Sequence, residues 1–556
     1  MPVVLPLMGA PGKVIKPMQT PLISNLAHLL EHHAALHPDA VAFIDGGRKI
    51  TYREFGSMVR ATSAWLSAQG VVPGSRVAVW LVNRMEWMAL FFGLCQLGAA
   101  LMTVNTRYRS HELEYILRRS EASLLVLQLG FRSIDFPGVL QNVDPDAAKG
   151  LARIAVVDAE GKSFPAELLG QQTVSFDLRC LPDIEPRATR SLDSDAVCIL
   201  FTTSGTTSEP KLVMHTQRTV ALQSQRIASA YGFDEDRVKL LATLPLCGVF
   251  GFNAALATFA AAKPVVLMDT FEPAPAAELI RRHKVTHLFG SDEMYRRLLD
   301  VAEGAHPFPS LRVAGFASFS PNAAETAKAG LERHIPMSGV YGSSEVQALF
   351  SLQRSALPLA QRIEAGGAAA NHDAVIRIRD IDTRELLPPG SSGAIEIWAD
   401  TNFIGYLNDS EATQAAIAED GYFRTGDIGY LRKDGSLVYQ TRLGDAMRIA
   451  GYLVSPAEIE HVLRSVPGVS EVQVVGVETM RDTRAVAFVI PLPGCRLDET
   501  EMLKAAAEAL AAFKLPAHIW IVDAFPEVAG PNGTKIQRGR LREMAQERLA
   551  RKGIRP

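Results

Sequence analysis

Short apolar runs alternate with helical patterns through most of the chain. Residues 77–82, 124–127 and 196–200 are mostly aliphatic and of strand length, whereas 87–97 and 110–119 carry helical patterns. Ser110 stands as the expected N-cap of the second of these helices, with carboxylates in its first turn. The alternation resumes downstream, with strands predicted at 264–268, 285–289 and 311–314 and helices at 276–283 and 292–302. Such alternation predicts α/β layers with parallel strands. From about residue 374 to 439 the pattern changes to period two, as in 394–398, punctuated by glycine and proline, which predicts a smaller β-rich subdomain. Near Arg442 it changes again, to a helix at 456–465, strands at 469–477 and 485–490 and a helix at 499–511. That tail has the size of a small α+β domain.

Residues 85–104 are apolar enough to raise the question of a membrane span. Glu86 and Gln96 interrupt the run, and Gly98 divides a helix-like part from a strand-like one, so a buried helix–strand pair is expected. Residues 1–24 lack a compact signal design and read as a leading arm, and the C-terminus carries no lipidation or peroxisomal signal. At 556 residues the chain is long enough for more than one domain. A net charge of −3 gives no global basic field for nucleic acid. Cys95, Cys180, Cys198, Cys247 and Cys495 are widely spaced, with no metal-ligand spacing, which suits free thiols in a reducing, cytoplasmic setting.

The stretch with the clearest chemistry follows the strand at 196–200. Thr202, Thr203, Ser204, Thr206, Thr207 and Ser208 place six hydroxyls around Gly205, and Lys211 follows. A buried core has no use for so many hydroxyls, because each needs a hydrogen-bond partner. A loop wrapping a polyphosphate does: Gly205 lets the backbone approach, hydroxyls and N–H groups donate to phosphate oxygens, and Lys211 adds a point charge. It is not a Walker A loop, whose glycine and lysine spacing is absent.

The string instead resembles the phosphate loop of the adenylate-forming superfamily, the acyl-CoA synthetases, adenylation enzymes and luciferases. The family prefers glycine where this chain has Ser208 and Leu212, changes expected to stiffen the loop. Further motifs follow in the family's order over nearly the whole chain. Tyr341-Gly342-Ser343-Ser344-Glu345 resembles its adenosine monophosphate motif. The ring would stack on adenine, a hydroxyl would reach the α-phosphate, and Glu345, with Thr203, would hold Mg²⁺, a cation that takes oxygen ligands. Ala317, Ser318 and Phe319 join the nucleotide site by the same resemblance. Asp427 would accept bonds from the ribose hydroxyls, and Arg442 would contact ribose or phosphate. Residues 442–444 resemble the hinge between a domain at 1–441 (its β-rich part at about 374–441) and a mobile C-terminal domain at 445–556. The usual Asp or Lys of the pivot is replaced by Gly444, which accepts both hinge conformations. Gly451 and Tyr452 resemble the loop lining the pantetheine tunnel, ahead of a helix with Ser455 at its cap and Pro456 at its first position. Lys535 resembles the lysine that bridges carboxylate and α-phosphate.

The resemblance implies an α/β enzyme using ATP, Mg²⁺ and coenzyme A. A carboxylic acid would be activated as acyl-AMP with release of pyrophosphate, with Lys535, Glu345 and Thr203 as catalytic groups, and then passed to the CoA thiol. His215, Cys198 and Cys247 have no nucleophilic role in such chemistry. The acyl pocket would be formed by Gly248, Phe252, Phe289 and Gly339, with Phe316 nearby, and Cys247-Gly248 replaces an aromatic–histidine pair, leaving a wider space. No carboxylate is assigned to hold an α-ammonium group, which argues against an amino acid and leaves fatty and aromatic acids. Two alternatives stay open: transfer to a carrier-protein phosphopantetheine, and a non-catalytic descendant that binds nucleotide or acyl ligand.

Overall fold

The computed structural model describes residues 22–132, 134–157, 164–182, 193–203, 210–318, 323–449, 452–478, 483–510, 514–530 and 533–551. Two large sheets organise the first 440 or so residues. In the first, strands Leu212–Thr216, Val197–Thr202, Ala100–Thr103, Arg76–Trp80, Leu124–Gln128 and Arg153–Val157 are neighbours in that order. All of these pairs are parallel except Val197–Thr202 with Leu212–Thr216, which flank the hydroxyl-rich loop as an antiparallel pair. In the second, Val41–Asp45, Val265–Leu267, Leu240–Ala242, His287–Ser291, Val313–Ala317 and Met337–Tyr341 run parallel.

Parallel strands buried on both faces explain the continuous apolar runs. Val77 and Val79 face one core and Ala78 and Trp80 the other; Leu240 and Ala242 share the first of these cores, while Leu241 turns away from it. The shared core is a layer of helices between the sheets, Leu26–Leu36, Tyr52–Ala68, Met85–Leu97, Gln217–Ala230 and Val249–Ala260. The stretch considered as a membrane span is this buried layer: a 13-residue helix ended by Gly98 at φ 68°, then strand Ala100–Thr103. No helix among the described residues is long and apolar enough to cross a membrane.

Three expectations shift. Strands His287–Ser291 and Val313–Ala317 begin two residues late, because the N–H groups of Val285 and Leu311 close the preceding turns onto Ile280 and Phe308. Ser110 is the first helical residue rather than the cap; its hydroxyl donates to Val139, and Glu112 instead accepts the Arg109 N–H at 2.6 Å. Antiparallel pairing begins not near 374 but at Ser351–Leu352, and continues the second sheet through Gly366–Ala369, Leu437–Arg442, Phe423–Leu431, Gly393–Trp398 and Val375–Arg379. Strands of two and four residues are too short to show a period in the sequence.

The C-terminal part packs both faces of Val469–Glu478, Thr483–Pro491 and His518–Ile521. Helices Pro456–Arg464 and Glu499–Ala509 cover one face and Arg538–Arg551 the other. Ser455 holds the cap position of the first helix, yet its hydroxyl is buried without a partner among the described residues.

Phe259 anchors the central layer. Its ring lies against His33, Phe43, Tyr52, Phe55 and Phe92, and its carbonyl accepts the Tyr52 hydroxyl at 3.0 Å while His33 serves Ala260, satisfying carbonyls that the helix end leaves open. Phe259→Ala should destabilise the N-terminal domain by about 3–5 kcal/mol. Denaturant unfolding followed by near-ultraviolet circular dichroism would measure it; a change under about 1 kcal/mol would mean that the layer refills the space.

Candidate active site

The candidate site lies where the loop base after strand Val197–Thr202 meets the turn after strand Met337–Tyr341. The hydroxyl-rich loop is pinched at its base: Thr203 N–H donates to Lys211 C=O and Lys211 N–H to the Thr203 hydroxyl, each at 3.0 Å. Thr202 accepts the Tyr108 hydroxyl at 2.9 Å. Ser204, Gly205, Thr206, Thr207 and Ser208 lie outside the described residues, as does Phe319. Leu212, at the family's glycine position, is a strand residue sunk in the core between the sheet and its outer helices.

The 341–345 turn of the second sheet faces this loop. His215, wholly buried on strand Leu212–Thr216, binds the Ser344 carbonyl at 2.7 Å. A carbonyl only accepts, so His215 Nε2 carries the proton; burial lowers its pKa to about 4 and keeps it neutral. Tyr406 donates to Glu345 Oε1 at 3.0 Å, and the Lys211 ammonium lies 4.8 Å from the centroid of the Tyr406 ring. Gly342 is sterically required, because a Cβ there would stand 2.8 Å from Ala348 Cα. Beyond the turn, Gln347 and Leu349 adopt left-handed φ of 56° and 64°, costly for residues with side chains. Gln347 donates to Thr219 and Thr401, Asn253 to Ala348, and Tyr231 to Leu349, so neighbouring elements hold the strained segment.

Behind the turn, Tyr341 donates to Asp427 Oδ2 at 2.6 Å, and Arg442 pairs with Oδ1 at 3.1 Å. Their strands place Asp427 directly opposite Arg442. Burial pushes the Asp427 carboxyl above its ordinary range while Arg442 pulls it back; burial, then the Asp427 charge, raises the Tyr341 phenol so that it stays a donor. Asp427 Oδ1 is buried with the Arg442 ion pair but no hydrogen bond, and the Ser343 hydroxyl is buried without a hydrogen-bond partner among the described residues. The Tyr341 ring is itself largely buried, 5.7 Å from Tyr439.

Oxygen donors dominate the place where a cation would sit. On the expectation above Glu345 and Thr203 would supply a carboxylate and a hydroxyl, and no group of three or more His, Cys, Asp or Glu among the described residues could hold a metal unaided. That set fits Mg²⁺, which binds through one or two carboxylates and completes its shell with water and substrate phosphates.

The acyl-pocket residues part company. Gly248 begins helix Val249–Ala260, beside Cys247, whose thiol burial pushes up to about 11. Phe289 lines a narrow apolar cavity with Phe271, Leu288, Met294 and Leu298. Phe252 instead packs inside the central layer against Phe91 and Phe201. Gly339 is a packing requirement, since its Cβ would stand 2.1 Å from the Glu364 carbonyl oxygen. Ala317 ends its strand half-buried, with Ser318 exposed beside it. In the C-terminal part, Tyr452 pairs with Ile449 in one hairpin and Lys535 with Val528 in another; Gly451 lies outside the described residues. Gly444 has neither a left-handed φ nor crowding, and its carbonyl accepts from Arg542 at 3.1 Å. Any residue fits there in this conformation.

Tyr108, Tyr406 and Tyr439 escape the sequence reading. An isolated tyrosine has no spacing to betray it.

Known proteins share this architecture. The family described as AMP-binding enzyme matches residues 30–407, and its C-terminal domain matches 458–530. This chain belongs to the adenylate-forming AMP-binding enzymes. A Mycobacterium tuberculosis CoA ligase acting on a dioxo-octahydroindenyl propanoate is 31% identical over 91% of this chain and 96% of its own length. A fatty acid–[acyl-carrier-protein] ligase, ScoC of Streptomyces coeruleorubidus, is 30% identical over 96% of this chain and 98% of its own. O-succinylbenzoate coenzyme A synthetase from Bacillus subtilis, solved with ATP and magnesium ion, superposes with a TM-score of 0.75 at 24% identity, covering 92% of this chain and 98% of that one.

Three buried histidines give this AMP-binding enzyme a pH signature. His33, His215 and His287 are each lowered from 6.5 to about 4 by burial. Between those values the unfolded chain binds more protons, so stability is complete above about 6.5 and falls as pH drops to about 4. Thermal melts across that range should show it, and His215→Gln should flatten the slope; an unchanged slope would locate the effect at the other two.

Proposed function

We propose that the chain is an ATP- and Mg²⁺-dependent acid–thiol ligase that converts a fatty or aromatic carboxylic acid to acyl-AMP and then to acyl-CoA. The observation that supports this reading is the chain of contacts that joins Lys211 to Glu345 through Tyr406 and Tyr341 to Asp427 and Arg442. Among the described residues the buried thiols serve packing; Cys247 is held protonated by burial, and activation by ATP needs no side-chain nucleophile.

In the first half-reaction a carboxylate oxygen attacks the α-phosphorus and pyrophosphate departs. The reactants are both anions, so the site must supply positive charge and hydrogen-bond donors already in place. Lys211 and the loop hydroxyls receive the leaving pyrophosphate, and Lys535 spans carboxylate and α-phosphate. Asp427 and Arg442 hold the ribose. Bound to Glu345, Mg²⁺ would neutralise phosphate charge as a Lewis acid. In the second half-reaction the CoA sulfur attacks the acyl carbon and AMP leaves. Rotation about 442–444 exchanges the Lys535 hairpin for the Gly451–Tyr452 hairpin. The setting is cytoplasmic, consistent with five free cysteines.

A second reading is transfer to a carrier-protein phosphopantetheine, favoured by the likeness to ScoC. Mass spectrometry of the products from Mg-ATP and a panel of fatty and aromatic acids, with and without CoA, separates the readings. Acyl-AMP alone without CoA and acyl-CoA with it are expected; acyl-AMP that persists despite CoA would transfer the assignment to a carrier. Lys535→Ala should slow adenylation about 10²–10³-fold while sparing thioester formation from supplied acyl-AMP. Gly451→Trp should do the reverse. Equal loss of both half-reactions in either variant would overturn that division of labour.

A further inference from the structure

One side chain links the two charged ends of the crevice and has no part in the chemistry described above. Tyr406 stands on Gly405–Tyr406, a two-residue strand that pairs antiparallel with Leu212–Thr216 at the edge of the first sheet. The backbone around it bonds to both sides of the site. Phe403 N–H donates to the Glu345 carbonyl at 2.7 Å, Ile404 to Met214 at 3.1 Å and Leu407 to Leu212 at 2.9 Å. The side chain repeats the bridge with its hydroxyl on the Glu345 carboxylate and its ring face under the Lys211 ammonium. The ring is 6% exposed and lies 5.0 Å from Phe403, and the Thr413 hydroxyl accepts the Tyr406 N–H at 2.9 Å. Its orientation is therefore fixed by packing before any ligand arrives.

Glu345 and Lys211 come from different sheets and carry opposite charges on flexible stems. Direct pairing would bury the charges each must offer to a ligand. A phenol between them avoids that outcome. Its O–H fixes the plane of the carboxylate through one oxygen and leaves the other for a cation. Its π face holds the ammonium electrostatically without consuming any of its three N–H donors.

We propose that Tyr406 is a positioning residue for metal and pyrophosphate binding, orienting Glu345 toward Mg²⁺ and Lys211 toward the phosphate loop. The proposal rests on the reading of Glu345 as the carboxylate that holds the cation. Phenylalanine keeps the ring and loses the O–H; leucine loses both. The two functions are therefore separable by substitution.

The test uses Mn²⁺ as a paramagnetic probe, with binding to the full-length protein read by electron paramagnetic resonance in the presence of a non-hydrolysable ATP analogue. Tyr406→Phe should raise the Mn²⁺ Kd about ten-fold, the scale of one hydrogen bond to a charged group. In steady-state assays its adenylation should recover at high Mg²⁺, and thioester formation from supplied acyl-AMP should not change. Tyr406→Leu should in addition raise KM for pyrophosphate in the reverse reaction. A merely structural role would lower the melting temperature and leave the Mn²⁺ Kd untouched. Should the leucine variant fail to fold, the phenylalanine variant alone decides. An unchanged Mn²⁺ Kd in Tyr406→Phe would overturn the proposal, provided Glu345→Gln abolishes binding. If Glu345→Gln also binds normally, the reading of Glu345 fails, and the role of Tyr406 toward the cation fails with it.

Discussion

Helices Met85–Leu97 and Val249–Ala260 are apolar around almost their whole circumference, and nearly every residue in them is buried. A helix with no polar face is stable in water only when every side is covered. Two sheets, one on each side, meet that demand, with Leu26–Leu36, Tyr52–Ala68 and Gln217–Ala230 completing the layer between them. The architecture of the N-terminal domain follows from this constraint. So does the location of the crevice, because sheets that clasp one helical layer bring Val197–Thr202 and Met337–Tyr341 to a common edge. Ligands of open α/β sheets gather at the carboxyl ends of strands.

Bringing these strand ends together creates an electrostatic problem that the structure solves in pairs. Asp427 is set opposite Arg442, with Tyr341 as a third partner. Glu345 and Lys211 are joined through Tyr406. Each carboxylate is thus partnered before a nucleotide binds, while Asp427 Oδ1 and the Ser343 hydroxyl retain hydrogen-bonding capacity. The cost appears in the backbone: Gln347 and Leu349 hold left-handed conformations, and the buried side chains of Tyr231 and Asn253, with the Gln347 amide bonded to Thr219, keep them there. Strain of this kind persists only where the surroundings over-determine it.

The sequence exposed those parts of the molecule that repeat or cluster. Parallel layers were legible because strands buried on both faces read as unbroken apolar runs, and the loop at 202–211 because six hydroxyls in seven residues have no place in a core. What stayed hidden depends on residues far apart in the chain. Tyr406 and Glu345 are 61 positions apart, and Tyr341 and Asp427 are 86. Phe252 and Gly339 read as pocket residues because apolar side chains and glycines line both pockets and cores; only the ring of Phe91 and the carbonyl of Glu364 distinguish the two. The antiparallel half of the second sheet begins with strands of two and four residues, too short for a period to declare itself.

Gly444 shows how conformational freedom differs from conformational need. Nothing in the observed state requires glycine there: its φ is ordinary, and a Cβ would meet open space. Among the described glycines, Gly342 and Gly339 are fixed by neighbours at 2.8 and 2.1 Å, a requirement visible in one state. If Gly444 is constrained at all, the constraint belongs to another arrangement of the two domains. The C-terminal domain carries two hairpins with different chemistry, one bearing Tyr452 and the other Lys535. On the two-step reading proposed above, one site would receive them in turn. On that reading a pivot that adds no side-chain barrier would leave the balance of the two arrangements to the ligands, because a bound ligand shifts such an equilibrium only by its differential affinity for the two states.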